Sequence, residues 1–401
     1  MIRSSLTFAT MVVIGVLALT GSASAVGVKP LERAIQDPAN IAIDGTDFYW
    51  LDQQFRRDKA KHRTVFETVL FRGSFLNRSV KRIVAFDDEE NAVADYVLAG
   101  GGFVFVNMLS VDESESRVER FARDGSNRVT LAKGKRRSGY GYEIKNGVVR
   151  LTDCGTRVEA LSTSAEGGVV IEHLATDRDS TRCGRKRNWD HRRYYEFTPG
   201  GAIREITTES SPVTHTIKLK GQDWGGSYGP VRPPVAEPTV FGDKAVYGAG
   251  HYDNFLVRDL KSGAVTGPYT RPLKGSPEFT DASLSPSGQL AYTSFRLTGK
   301  GNSAKLNRAA GVFDTAAGPT AFRPVAGYLA LRYCGSHLIA DTNRGVQELD
   351  PATGAFVRQI APERMHGTPI FTFYPCTNDY VYADGTAGKK YANALFAFPL
   401  N

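Results

Sequence analysis

A short motif repeats down this chain: two runs of strand-forming residues separated by a tight turn on glycine. It appears as VRDLKSGAV around Gly263, VFDTAAGPT around Gly318 and ELDPATGAF around Gly354, and upstream as FRGSF at Gly73, FARDGS at Gly125 and FTPGGA at Gly200. Before each lies a second hairpin with its own turn, at Gly45, Gly101, Gly147, Gly242, Gly288 and Gly335. The final stretch, FYPCTNDYVYADG then NALFAFPL, supplies three strands instead of four. Such units constrain the fold strongly, because each is one supersecondary element that buries its apolar faces only by stacking against its neighbours.

Six four-stranded units and one three-stranded unit predict an all-β fold, a seven-bladed β-propeller, with counts of six or eight blades left open. A stacked sandwich of similar strand density is the alternative class. A ring leaves an unmatched edge in the short last unit, and a strand within Val26 to Ala34 is expected to fill it. Helical periodicity with caps is absent beyond the first 25 residues. With 41% hydrophobic residues in 401, the chain can bury a large core, which excludes a disordered protein.

The segment LSPSGQLAY, at Leu284 to Tyr292, resembles the repeat motif of TolB-like and WD-repeat-like propellers, and ELDPATG resembles hairpins of related propeller repeats. The resemblance implies a propeller scaffold. It implies no activity, since propellers of this kind serve both as binding platforms and as enzymes.

Residues 1–25 read as a signal peptide: Arg3, an apolar run from Leu6 to Gly21, then Ala23-Ser24-Ala25 as a cleavage site. Residues 26–401 are then a single propeller domain, with no other run long enough to cross a membrane. The expected location is secreted or extracellular, periplasmic if the host has an outer membrane. Export places Cys154, Cys183, Cys334 and Cys376 in an oxidising compartment, and proximity favours Cys154–Cys183 and Cys334–Cys376 among the three pairings. The first bridge would fasten an inserted hairpin at about Thr156 to Thr176, within an insertion and basic loop at about 155–192.

The longest predicted loops, Asp52 to Arg63, Cys154 to Arg192, Glu209 to Glu237 and Phe295 to Arg308, all fall on one face of such a ring. They are rich in cations. The densest run, RCGRKRNWDHRR, holds Arg182, Arg185, Lys186, Arg187, Arg192 and Arg193 with Trp189 among them, and Trp224 lies in the next long loop. The formal net charge is +8. These residues form the expected ligand-binding set, for a protein or anionic glycan partner. The acidic run Asp87 to Glu90 on the same face makes it dipolar, which suits a protein at least as well as a polyanion and argues against nucleic acid.

No local pattern for a nucleophile with its base, a zinc protease, a phosphate loop or a calcium loop is present, so no catalytic residue, metal or cofactor is assigned. The leading expectation is an exported, non-catalytic binding module. One alternative is an extracellular lyase or hydrolase at the axial pocket, for which His251 and His366 are the first candidates because their loops are short. A subunit of a secreted assembly is another, and the oligomeric state stays open.

Overall fold

The computed structural model describes residues 26–27, 41–58, 62–76, 79–87, 92–110, 114–135, 142–145, 148–151, 155–164, 166–177, 188–213, 217–218, 238–248, 254–270, 279–298, 305–317, 323–325, 328, 330–365, 368–373, 376–385 and 394–400. All the regular structure among them is β. Six sheets of four antiparallel strands follow one another along the chain, each in simple meander order. The first contains Ile41–Asp44, Asp47–Asp58, Arg63–Ser74 and Val80–Asp87. The second contains Ala92–Gly100, Phe103–Ser110, Glu115–Ala122 and Val129–Lys135. Gly155–Thr163, Val169–Asp177, Asn188–Phe197 and Ile203–Val213 form the third, and Thr239–Phe241, Lys244–Gly248, Asn254–Asp259 and Val265–Thr270 the fourth. The fifth has Phe279–Leu284, Gln289–Thr298, Lys305–Asp314 and the two-residue Arg323–Pro324. Ala330–Cys334, His337–Thr342, Gly345–Leu349 and Phe356–Pro362 make the sixth.

The seventh sheet joins both ends of the chain. Its C-terminal strands are Arg364–Met365, Thr368–Phe373, Tyr380–Gly385 and Ala394–Pro399, and its outer strand is Val26–Gly27, paired as Val26↔Ala397 and Gly27↔Phe396. The expected N-terminal closing strand is therefore found, at the first two residues of the window predicted for it.

Among the described residues, every buried apolar cluster spans two sheets. Each sheet packs its apolar face on the next: Tyr49, Leu70 and Phe86 of the first meet Val97, Val106 and Phe121 of the second, and Val118 of the second meets Val158 and Ile171 of the third. Equivalent clusters join the third to the fourth, the fourth to the fifth, the fifth to the sixth and the sixth to the seventh. A last cluster of Phe48, Trp50, Phe75, Tyr382 and Ala397 joins the seventh back to the first. The arrangement is a closed β-propeller, in which the first strand of each blade is innermost. Because both faces of each blade are covered, the middle strands read as apolar runs such as FVFVNM and TVLF, with little alternation.

The turns joining first to second strands lie at one end of the ring and latch neighbour to neighbour. The Gly102 amide and Arg123 both donate to Asp44, at 2.7 and 2.9 Å, and the Gly242 amide donates to Glu166 at 3.1 Å. Tyr382 donates its hydroxyl proton to the Gly45 carbonyl across the closure. Gly101 and Gly167 touch so closely that a Cβ on Gly101 would lie 2.2 Å from the Gly167 Cα, and both have positive φ, so only glycine fits there.

Two expectations need correction. Gly73 is not a turn residue: it lies inside the strand Arg63–Ser74, where a Cβ would meet the Phe48 ring at 2.1 Å. The hairpin at 156–176 is not an insertion. It supplies the first two strands of the third sheet, turning at Gly167, while Tyr142–Lys145 and Val148–Leu151 pair with Ile217–Lys218 in a separate three-stranded sheet. Burial explains the choice, because Val158, Ala160, Val169 and Ile171 face the second sheet and Val170 faces the fourth. A hairpin apolar on both faces has to sit between two blades.

Candidate functional site on the long-hairpin face

Opposite the latched turns, the connections between second and third strands differ sharply in length. In the second sheet the pairing stops at Leu109↔Ser116, and in the sixth a tight turn closes it at Thr342↔Gly345. In the first, third and fifth sheets it runs on, to Asp58↔Arg63, Asp177↔Trp189 and Thr298↔Lys305. Three ribbons therefore rise from alternate blades on one face. Asp52 to Arg63 and Phe295 to Arg308, expected as loops, consist largely of these ladders, and Cys154 to Arg192 holds the first and second strands of its sheet and the start of the third. A solvated two-stranded ribbon needs no apolar alternation, so its polar sequence reads as loop.

The ribbons bring part of the expected binding set into order. Trp189, Arg192 and Arg193 all lie on the third strand of the third sheet, Trp189 opposite Asp177 and Pro212, Arg193 opposite His173 and Thr208. Arg193 is exposed and sits 3.9 Å from the Glu205 carboxylate, a loose surface pair. Arg57 and His62 are exposed on the first ribbon, His62 with a left-handed φ of 51° at its tip. Arg182, Arg185, Lys186, Arg187 and Trp224 lie outside the described residues, as do Cys154, Cys183, His251 and His366. The pairing of Cys334 with Cys376 is found as expected, with the Cα atoms 5.4 Å apart.

Nearer the axis, three carboxylates gather on innermost and adjoining strands. Glu159 and Glu172 are direct cross-strand partners in the third sheet, and Asp95 is exposed on the innermost strand of the second. Arg157 pairs with Glu159 at 3.1 Å, and the buried Tyr194 hydroxyl donates to Glu172 at 3.0 Å. Burial first, then the charges of Glu172 and Asp95, hold the Glu159 carboxyl above its ordinary range against the pull of Arg157. The folded state thus binds this proton more tightly than the unfolded chain, and the stability so gained is lost as pH rises from 4.5 through the raised value. Glu159→Gln is therefore expected to raise the melting temperature at neutral pH, with the gain disappearing as pH falls toward the ordinary glutamate value. Thermal melts across that range check it. Among the described residues no group of three or more His, Cys, Asp or Glu is placed to hold a metal ion.

A second set of charges escaped the sequence reading. Glu67, Glu119, Glu196 and Glu348 each stand on the third strand of a sheet and each receives an arginine from beside or within the fourth: Arg82 at 3.1 Å, and Arg128, Arg204 and Arg358 at 2.6 Å. Glu67, Glu119 and Glu196 are almost wholly buried. The signal was present as glutamate before, and arginine after, the outer turn of these units. In the second, third and sixth sheets the pair stands at the latched end of the ring, and in all four it ties the third strand to the fourth.

No protein-family model matches the chain, and no curated protein matches it. Solved structures do, at the level of fold. The chain is similar to an oligogalacturonate lyase in complex with manganese, at 9% identity and TM-score 0.43, over 88% of this chain and 96% of that one. It is similar also to the β-propeller domain of the Trilobed protease from Pyrococcus furiosus, at 8% and 0.45, over 89% and 91%. A third is the WD40 domain of SCAP from fission yeast, at 9% and 0.38, over 90% and 91%. The neighbours are propellers that include enzymes and WD40 domains. The likeness is one of fold alone.

Proposed function

We propose that the protein is an exported, non-catalytic binding module, a single propeller domain over 26–401, that engages a protein or anionic glycan through the long-hairpin face. The observation that carries this reading is the set of three ribbons raised from alternate blades on the face where the sequence collects its basic runs. Projecting ribbons extend the surface open to a partner on their face, whereas the turns at the other end are engaged with one another. The Cys334–Cys376 bridge suits an oxidising compartment, and no helix among the described residues is long and apolar enough to cross a membrane.

Replacing Arg185, Lys186 and Arg187 together by glutamine is expected to weaken retention on a heparin resin at least about tenfold while leaving the melting temperature unchanged. Raising salt from about 0.05 to about 0.3 M should weaken the parent protein in the same way, since exposed charges are screened over that range. Binding that ignores both changes refutes a charge-led surface.

A second reading, an extracellular lyase or hydrolase at the axial mouth, draws on the carboxylates Glu159, Glu172 and Asp95. It requires that Glu159→Gln or His366→Ala abolish cleavage of anionic oligosaccharides without changing retention on the resin.

A further inference from the structure

The fifth sheet covers little of the outer edge of its projecting ribbon. Its fourth strand, Arg323–Pro324, pairs with Gly311 and Val312 of the strand Lys305–Asp314, and the Val325 amide adds one bond to the Ala310 carbonyl at 3.0 Å. Pro324 has no amide to donate, and the chain begins the sixth sheet at Ala330, so the cover ends there. Among the described residues no strand pairs with the outer side of Lys305 to Ala309. The ladder to Gln289–Thr298 runs on without a bulge to Thr298↔Lys305. Ala310 turns its carbonyl outward, so by strand alternation Leu306 and Arg308 point their amides and carbonyls outward as well.

An edge of this kind is a template for one more strand, and charge selects which. Phe295 to Arg308 holds Arg296, Lys300, Lys305 and Arg308 and no acid. Two copies of this edge would repel each other, whereas an acidic strand is attracted. The first ribbon has a comparable edge at Arg63 to Phe66, since its outer pairing begins at Glu67↔Asp87, but the acidic run Asp87 to Glu90 starts at that same point. In the third sheet the fourth strand follows the ribbon as far as Asn188↔Val213. We propose that the edge Lys305 to Ala309 binds an extended acidic segment of a partner protein as an added strand. The inference rests on the reading of this face as a partner surface and gives that partner its chemistry: backbone pairing holds the segment, and the cations select acidic sequence.

The test is fluorescence anisotropy of a short labelled peptide alternating glutamate and valine, titrated with the mature chain. It is expected to bind with a Kd near or below about 100 µM. The same sequence N-methylated throughout cannot donate to the edge, and one alternating lysine and valine has the wrong charge; both should bind at least about tenfold more weakly. Leu306→Pro removes an outward amide that the ladder to Gln289–Thr298 does not use, and should bind the acidic peptide at least about tenfold more weakly than Leu306→Ala. Both variants should keep the parent's retention on heparin resin. Absence of peptide binding at about 1 mM, equal binding of the N-methylated peptide, or equal affinity of Leu306→Pro and Leu306→Ala overturns the proposal and leaves a surface that reads charge alone, as for an anionic glycan. Heparin retention that ignores salt and the glutamine triple at residues 185–187 refutes the charge-led surface instead, so the two fail separately.

Discussion

Removing the Cys334–Cys376 bridge should lower the unfolding free energy by about 4 kcal/mol, the loop-entropy value for a closed loop of this length. The two cysteines are separated by 42 positions and tie the turn region of the sixth sheet to that of the seventh. Reduction releases the unfolded chain from that constraint while the folded ring retains the apolar contacts of Ile339, Val346, Val381 and Phe396. Cys334→Ala with Cys376→Ala, compared with the oxidised parent in urea, reads the effect as a lower midpoint. The same loss should appear on adding a strong reductant, and the double variant should then be indifferent to it. An unchanged midpoint in both experiments would show that the junction is held by packing alone.

Arg204→Met is the second substitution with a large expected cost, about 3–5 kcal/mol, because it strands a buried charge. Arg204 donates to Glu196 at 2.6 Å, and across the junction to Asp243 at 2.9 Å and to the Gly242 carbonyl at 3.0 Å. Glu196 is 1% exposed, and burial already holds its carboxyl above the ordinary range in spite of the arginine. Without its partner the carboxylate should rise further. A raised pKa in the folded state means that stability is present at low pH and is lost as pH climbs through the raised value, so the Arg204→Met defect should shrink in acid. Adding Glu196→Gln to Arg204→Met should recover much of the loss at neutral pH. Urea unfolding at two pH values separates this from lost packing, which would be independent of pH.

The fold was legible because a propeller repeats its punctuation. Gly45, Gly101, Gly125, Gly242, Gly263, Gly288, Gly335 and Gly354 all stand at turns with positive φ, as the hairpin pattern requires. The third unit was misread because two hairpins, one pairing Tyr142–Lys145 with Val148–Leu151 and one turning at Gly167, carry equivalent local signals, and only contact with two neighbouring blades selects between them. The long connections were misread for a related reason: ladder pairing in a polar ribbon is a backbone property that leaves no alternation to find. For the candidate site, Trp189, Arg192 and Arg193 of the expected set fall on one strand of the third sheet, while the basic run at 182–187 lies outside the described residues. The sequence could not mark Glu196 with Arg204, since that pair is made by strand register and each residue alone looks like an ordinary surface charge.

The contact of Phe48, Trp50 and Phe75 with Tyr382 and Ala397 has a consequence for how the molecule comes apart. A row of stacked units can fray from either end, losing one junction at a time. Here the terminal units bury each other, so there is no end from which to begin, and detaching any blade breaks two junctions at once. Local melting is thereby suppressed around the whole circle. The ribbons on the long-hairpin face stand on a base that opens as one cooperative unit.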